Sequence, residues 1–155
     1  MRINACRADN HLPPLKYGSS DLIALETYFG SLSNGMPTDV KVVGRGAVRA
    51  FEEGKAYYFM HRGQLNFSCA SCHVAYAGKY LRGQIISPVL GQSAHYPTYR
   101  ASWSAVNTFE KRFQGCDKKV GAAPQKLGSP EYRDLDYFMS YLSNGIKMNV
   151  PGYRP

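Results

Sequence analysis

Two stretches of the chain carry the same alternation of apolar and polar positions. From Ser20 to Gly35, Leu25, Tyr28, Phe29 and Leu32 recur at i, i+3, i+4 and i+7, the stripe of one helix face. Ser20 and Asp21 suit the N-terminus of that helix and Asn34-Gly35 its C-cap. From Glu131 to Gly145 the design returns, with the stripe Leu135, Phe138, Met139 and Leu142, the N-terminal signals Ser129 and Pro130, and the stop Asn144-Gly145. Leu25 and Leu135, Asn34 and Asn144, and Gly35 and Gly145 are each 110 residues apart. The register extends upstream: Arg2-Ile3-Asn4-Ala5-Cys6 falls opposite Arg112-Phe113-Gln114-Gly115-Cys116, Lys16 opposite Lys126, and Gly18-Ser19 opposite Gly128-Ser129. An Arg-x-x-x-Cys, a Gly-Ser and a Ser-Asn-Gly in one register indicate an internal duplication.

Between the copies lies Cys69-Ala70-Ser71-Cys72-His73, a C-x-x-C-H run of the kind that attaches c-type haem. On a helical turn the two cysteines present both sulfurs to one face, each within reach of a haem vinyl group. His73 then follows as the proximal ligand to iron. A thioredoxin-like redox pair would be expected near a βαβ pattern, and a zinc site needs a second Cys/His pair at short spacing; the sequence offers neither. Ahead of the motif, Met36 to Arg45 reads as a connection with Pro37 and Gly44, and Val48, Phe51, Lys55 and Tyr58 mark a helical face. Gly54 and Tyr58, a small residue and an aromatic at i and i+4, match the way the N-terminal helix of a class I cytochrome c crosses its C-terminal helix. From Ala77 to Tyr99 the chain is rich in Gly, Pro, Ser and Tyr, a loop long enough to wrap a cofactor. The expected fold is all-α: a class I cytochrome c-like haem domain over residues 44–155, preceded over residues 1–43 by the C-terminal remnant of a duplicated domain and its connection. The counterpart of Cys69 would precede Met1.

The 155 residues suffice for one ordinary domain with a real core. No run approaches the roughly 18 apolar residues of a membrane helix, so no membrane partner is expected. A net charge of +8 suits an acidic protein or a small anion as partner, although most of that charge belongs to any solvated basic surface. No basic run carries the interleaved aromatics of a nucleic-acid platform. Haem attachment to this motif takes place outside the cytoplasm, while Met1 to Cys6 has no apolar h-region of a signal peptide.

The group opposite His73 is open among Met60, His61, His95, Met139, Met148 and Cys116. Met139 belongs to a helix stripe, Met60 and His61 lie close to the motif, and Met148 lies in the tail. His95 lies in the loop, and Cys116, 43 residues beyond His73, lies just ahead of the final helix. The alternatives for Cys116 are a buried small hydrophobe or a disulfide with Cys6. The repeat gives these two cysteines equivalent places in different domains, so Cys6 is expected unliganded and solvent-reachable, or in an adventitious intermolecular disulfide.

The chain resembles the SoxA family, the A subunits of the SoxAX cytochromes of bacterial sulfur oxidation. The resemblance rests on Arg62-Gly63-Gln64-Leu65-Asn66 leading into Ser68-Cys69-Ala70-Ser71-Cys72-His73, on Leu81-Arg82-Gly83, and on Tyr96-Pro97-Thr98-Tyr99-Arg100 with Trp103. It extends to Arg112-Phe113-Gln114-Gly115-Cys116 and Pro151-Gly152-Tyr153-Arg154. The resemblance implies two fused cytochrome c domains, haem c on Cys69 and Cys72 with one haem in this chain, His73 as proximal ligand, and Cys116 as distal ligand, often a persulfide. It implies that Arg112 serves the substrate anion and that the reaction joins thiosulfate oxidatively to a cysteine of the SoxYZ carrier. Electrons would leave through haem to the SoxX subunit, in the periplasm. A plain electron-transfer cytochrome would instead carry Met or His opposite His73. A thiosulfate dehydrogenase forming tetrathionate usually carries another C-x-x-C-H in its second domain, and this chain has none after His73.

Overall fold

Side-chain caps set where three of the α-helices begin. The computed structural model describes residues 2–81 and 83–154; Met1, Arg82 and Pro155, the first two of which enter the sequence reading, lie outside the described residues. After a short α1 (Arg2–Asp9), α2 (Ser20–Ser31) starts where Ser19 Oγ accepts the Leu22 N–H, and α3 (Arg45–Phe59) follows the connection. Thr108 caps α4 (Phe109–Lys119) by accepting from Lys111, and Ser129 caps α5 (Pro130–Leu142) by accepting from Tyr132, with Pro130 in the first turn where a missing N–H costs nothing.

The core forms where α3 crosses α5, with α4 packed beside them. Tyr57 and Tyr58 of α3, Phe109 and Phe113 of α4, and Tyr132, Leu135, Phe138 and Met139 of α5 make one buried cluster. The crossing depends on Gly54: a Cβ built there would stand 2.5 Å from the Asp134 carbonyl carbon and 2.9 Å from Phe138 Cβ. Tyr58 then packs its ring 5.4 Å from that of Phe138, and Phe51 packs 5.3 Å from it on the other side. Of the face expected on α3, Phe51 and Tyr58 turn inward as read. Val48 remains 47% exposed and Lys55 faces solvent, because the buried stripe of the helix runs through Gly54, Tyr57 and Tyr58.

The two copies of the sequence repeat grip one another reciprocally. Gly35 N–H donates to Met148 O and Met148 N–H to Met36 O, while Thr38 N–H donates to Ile146 O and Gly145 N–H to Thr38 O. The Asn34 amide donates to Val150 O at 2.8 Å and accepts from Val150 N at 2.7 Å; Asn144 does the same to Val40, at 3.0 and 2.7 Å. Every one of these partners has its counterpart 110 positions away in the other copy, so the two halves meet about a local pseudo-two-fold axis. A further parallel lies upstream: the Asn4 amide donates to Leu15 O and the Gln114 amide to Gln125 O.

The copies differ in what covers them. Leu135, Phe138 and Met139 are sealed by α3, but Tyr28, Phe29 and Leu32 on the equivalent stripe of α2 are 59%, 53% and 62% exposed, and Leu22 is the residue α2 buries. Periodicity marks an apolar face, and here no element of the described residues lies over Tyr28, Phe29 and Leu32.

An all-α description also needs amendment. The loop after the haem motif holds a hairpin, β1 (Tyr80–Leu81) with β2 (Gln84–Ile85). Further on, β3 (Thr98–Arg100) pairs antiparallel with β4 (Ala105–Asn107) and parallel with β5 (Gly152–Arg154). These strands are two or three residues long, too short to show a period of two, so their Gly- and Pro-rich surroundings read as loop. The parallel register sets Arg100 directly beside Arg154.

Candidate functional site

Cys69 to His73 enter on a helical turn that widens to a π-turn over Ser71–Ala75. Its start is fixed by a reciprocal pair: Ser71 N–H donates to Ser68 Oγ at 3.0 Å and Ser68 N–H to Ser71 Oγ at 3.1 Å, as in a capping box. His73 is oriented from outside the turn. Its Nδ1 lies 2.8 Å from Ser87 O and 2.8 Å from Gln92 Nε2. The Gln92 amide already donates to Ser87 Oγ and Pro88 O at 2.9 Å, so Nδ1–H donates to Ser87 O and Nε2 keeps its lone pair. That is the tautomer an iron ligand requires. Burial lowers the His73 pKa, the Ser87 carbonyl opposes this, and the charges of Arg112 and Arg154 lower it further, so the imidazole stays neutral.

Arg62 and Asp117 brace the site from behind. Arg62 Nε donates to Asp117 Oδ1 at 2.8 Å, its Nη1 to Tyr57 O at 2.9 Å, and its Nη2 to Cys69 Sγ at 3.2 Å, with the guanidinium 4.2 Å over the Tyr57 ring. Asp117 also accepts from Tyr132 at 2.7 Å and from Tyr57 at 3.1 Å. One buried carboxylate therefore joins α3, α4, α5 and the entry to the motif, next in sequence to Cys116. Burial pushes the Cys69 thiol up to about 11 although Arg62 opposes it, and burial raises Cys72 as well.

Arg112 and Cys116 lie one turn apart on α4, as their spacing requires once that helix forms. The positive charge of Arg112 acts on Cys72, His73 and Tyr96, and Asp117, the residue after Cys116, reaches Cys69 through Arg62. The other distal candidates sit elsewhere. Met139 is in the core, Met60, His61 and His95 are exposed, and Met148 lines a cavity between the two halves. All four cysteines are free thiols, and Cys6 is exposed.

Two arginines that the sequence reading left without a role join Arg112. Arg100 is 6% exposed, with its Nη2 3.3 Å from Gln84 Oε1, its Cζ 5.2 Å from the Trp103 ring centre, and a buried Nε that has no hydrogen-bond partner. Arg154 is exposed beside it and lines, with Tyr80, Gly83, Gln84 and Ile85, a groove of about 340 Å³. The signal for both was the quoted Tyr-Pro-Thr-Tyr-Arg and Pro-Gly-Tyr-Arg stretches; their meeting depends on a pairing between distant strands. The donor set fits a covalently held haem: two motif sulfurs outside any disulfide, an imidazole with a free Nε2, a third sulfur on α4, and a buried guanidinium with an unpartnered Nε for an anionic edge.

Residues 53–148 match the family described as SoxA/TsdA, cytochrome c domain. The L-cysteine S-thiosulfotransferase subunit SoxA of Chlorobaculum tepidum is 42% identical over 99% of this chain, and that of Allochromatium vinosum 40% identical over 99%. The chain spans 54% and 56% of those two relatives, about half their length. The crystal structure of SoxXA from P. pantotrophus superposes with a TM-score of 0.93 at 31% identity, covering 99% of this chain and 58% of that one. By this match and these identities the chain belongs to the SoxA/TsdA cytochrome c domain family.

Proposed function

We propose that this chain is the haem-bearing part of a SoxA-type L-cysteine S-thiosulfotransferase subunit. The observation that carries the reading is the pairing of Arg112 with Cys116 on one turn of α4, with the next residue, Asp117, tied through Arg62 to the Cys69 sulfur. Cys69 and Cys72 would hold one haem c by thioethers, with His73 and Cys116 as the residues that would ligate its iron. When bound, the haem accepts electrons one at a time and passes them on. Thiosulfate, a dianion, is held by the Arg112 guanidinium, whose planar fork matches its oxygens. The sulfur of the carrier cysteine would bond to the terminal sulfur of thiosulfate, releasing two electrons and the thiol proton. The carrier is SoxYZ, the electron acceptor SoxX, and the compartment the periplasm. Among the described residues no helix is long and apolar enough to cross a membrane.

Residues 1–43 are read as the remnant of a first cytochrome c-like domain and its connection, and 44–155 as the haem domain. The reciprocal pairing of the two copies supports this, as does the bare stripe of α2 where α5 carries α3. Intact mass under denaturing conditions should equal polypeptide plus one haem after expression with a c-type maturation system. Cys116→Met should convert a thiolate spectrum to a His/Met one and abolish carrier thiosulfonation, whereas Arg112→Ala should keep the spectrum and lose turnover. An unchanged spectrum in the Cys116 variant would remove it as ligand. Tetrathionate as the sole product would place the chain with thiosulfate dehydrogenases, and electron transfer without either product would make it a plain cytochrome.

A further inference from the structure

Arg100 is a buried cation without a counter-ion. Its residue is 6% exposed and its buried Nε has no partner. Its remaining contacts are neutral: the Gln84 amide oxygen, the Trp103 ring face and Tyr96. The other charges acting on it are those of Arg112 and Arg154, both of its own sign. Among the described residues the ion pairs are Lys41–Asp39, Lys55–Glu52 and Arg62–Asp117, so no carboxylate neutralises this group of three arginines.

A guanidinium this deep is tolerated in a fold only when an anion accompanies it, because desolvating an unpaired ion costs more than marginal stability can absorb. The anion must be present for as long as the fold is. A substrate that comes and goes does not meet that condition; a carboxylate belonging to a covalently attached group does. The three arginines are not equivalent in this respect. Arg112 is half-buried and Arg154 exposed, so water can solvate each between turnovers, while Arg100 is sealed between β3, Trp103 and the β1–β2 hairpin.

We propose that Arg100 is the permanent counter-ion of a haem propionate, its guanidinium plane held by Trp103 and Gln84, and that this leaves Arg112 and Arg154 to take the transient anion. The first half rests on haem attachment at Cys69 and Cys72, and the second on the substrate role given to Arg112 above. Arg154 then acts through the register that sets it beside Arg100, bringing a second positive charge to the mouth of the groove bordered by β1 and β2.

The test uses the haem-loaded protein with Arg100→Gln, Arg100→Lys and Arg154→Gln, read by resonance Raman in the propionate bending bands and by potentiometric titration. Arg100→Gln should shift those bands. It should also favour the oxidised haem, whose extra positive charge is no longer opposed, by about tenfold in the oxidised-to-reduced ratio at fixed potential, or about 59 mV for one electron. Arg100→Lys keeps the charge but not the fork, so its bands move while its potential stays within about threefold in the same ratio; it serves if the Gln variant does not fold. Arg154→Gln should leave the bands in place and weaken the effect of added thiosulfate on the haem spectrum. Unmoved bands in both Arg100 variants, or bands that move with Arg154→Gln, overturn the assignment. The thiolate signature of Cys116 in the parent's absorption spectrum is read in the same samples, so failure of the ligand reading is seen separately from failure of the propionate one.

Discussion

Replacing Gly54 by alanine sets two effects of opposite sign against each other. In an ordinary helix the change stabilises by about 1 kcal/mol, since alanine loses less backbone entropy. Here the new methyl would stand 2.5 Å from the Asp134 carbonyl carbon and 2.9 Å from Phe138 Cβ, where ordinary contact begins at 3.4 Å. The nearer obstacle is backbone, which cannot swing aside, so α3 must retreat by about 1 Å, and a gap of that size forfeits up to half of each dispersion contact along the seam. Overpacking of this kind costs about 1–3 kcal/mol, and the crossing carries Tyr57, Tyr58 and Phe138, so the net loss is placed at about 2–3 kcal/mol. For a chain of this size that is a fall of about 5–10 °C in Tm. The assay is thermal unfolding of the haem-loaded protein by far-ultraviolet circular dichroism. Gly46→Ala is the internal control: it lies on the same helix with no atom within 4 Å of the added Cβ, and should hold or raise Tm. A Gly54 variant as stable as its parent would refute the close approach.

Further outcomes follow from the polar interior. Asp117→Asn leaves Arg62 without its charge partner, and should cost about 3 kcal/mol in urea unfolding; a loss under about 1 kcal/mol would mean that Asp117 is not the hub. The Asp136 carboxyl faces a cavity of about 310 Å³ shared with Glu26 and Glu110, and burial raises its pKa to about 6. A raised folded pKa means its stabilising contribution is complete below the ordinary carboxyl range and is lost as pH rises through about 6. Asp136→Asn should therefore be neutral at acid pH and stabilising near pH 8 by about 1–2 kcal/mol, less than the full two-unit shift because the cavity is roomy enough for water; equal effects at both pH values would contradict it. Asn34→Ala should cost about 1–2 kcal/mol and Asn144→Ala about half of that, because only the first pair of bonds is shielded from water; calorimetric melts giving the reverse order would be decisive against this.

What could be read from the sequence was what neighbours along the chain decide. The C-x-x-C-H turn, the Arg112–Cys116 spacing, the α5 stripe with its stop and the Gly54–Tyr58 crossing are all spacings of a few residues. The duplication was legible because it compares the chain with itself. Asp117 was not, since its partners Tyr57, Arg62 and Tyr132 come from three elements and an acid after a cysteine carries no signal of its own. Arg100 needed the pairing of β3 with β5, and strands of three residues leave no period to detect. The stripe on α2 shows the opposite failure: Leu25, Tyr28, Phe29 and Leu32 foretell an amphipathic helix correctly but say nothing of whether a neighbour lies against it.

The parallel pairing of β3 with β5 also imposes an order in time. A chain made from its N-terminus exposes the Cys69–His73 turn long before Gly152–Arg154 exist, and β3 has no parallel neighbour until they do. The edge carrying Arg100 and Arg154 thus cannot zip until the last residues of the chain have been made. A chain lacking only its final strand would keep the β3–β4 pair but leave Arg100 without the neighbour that the register sets beside it.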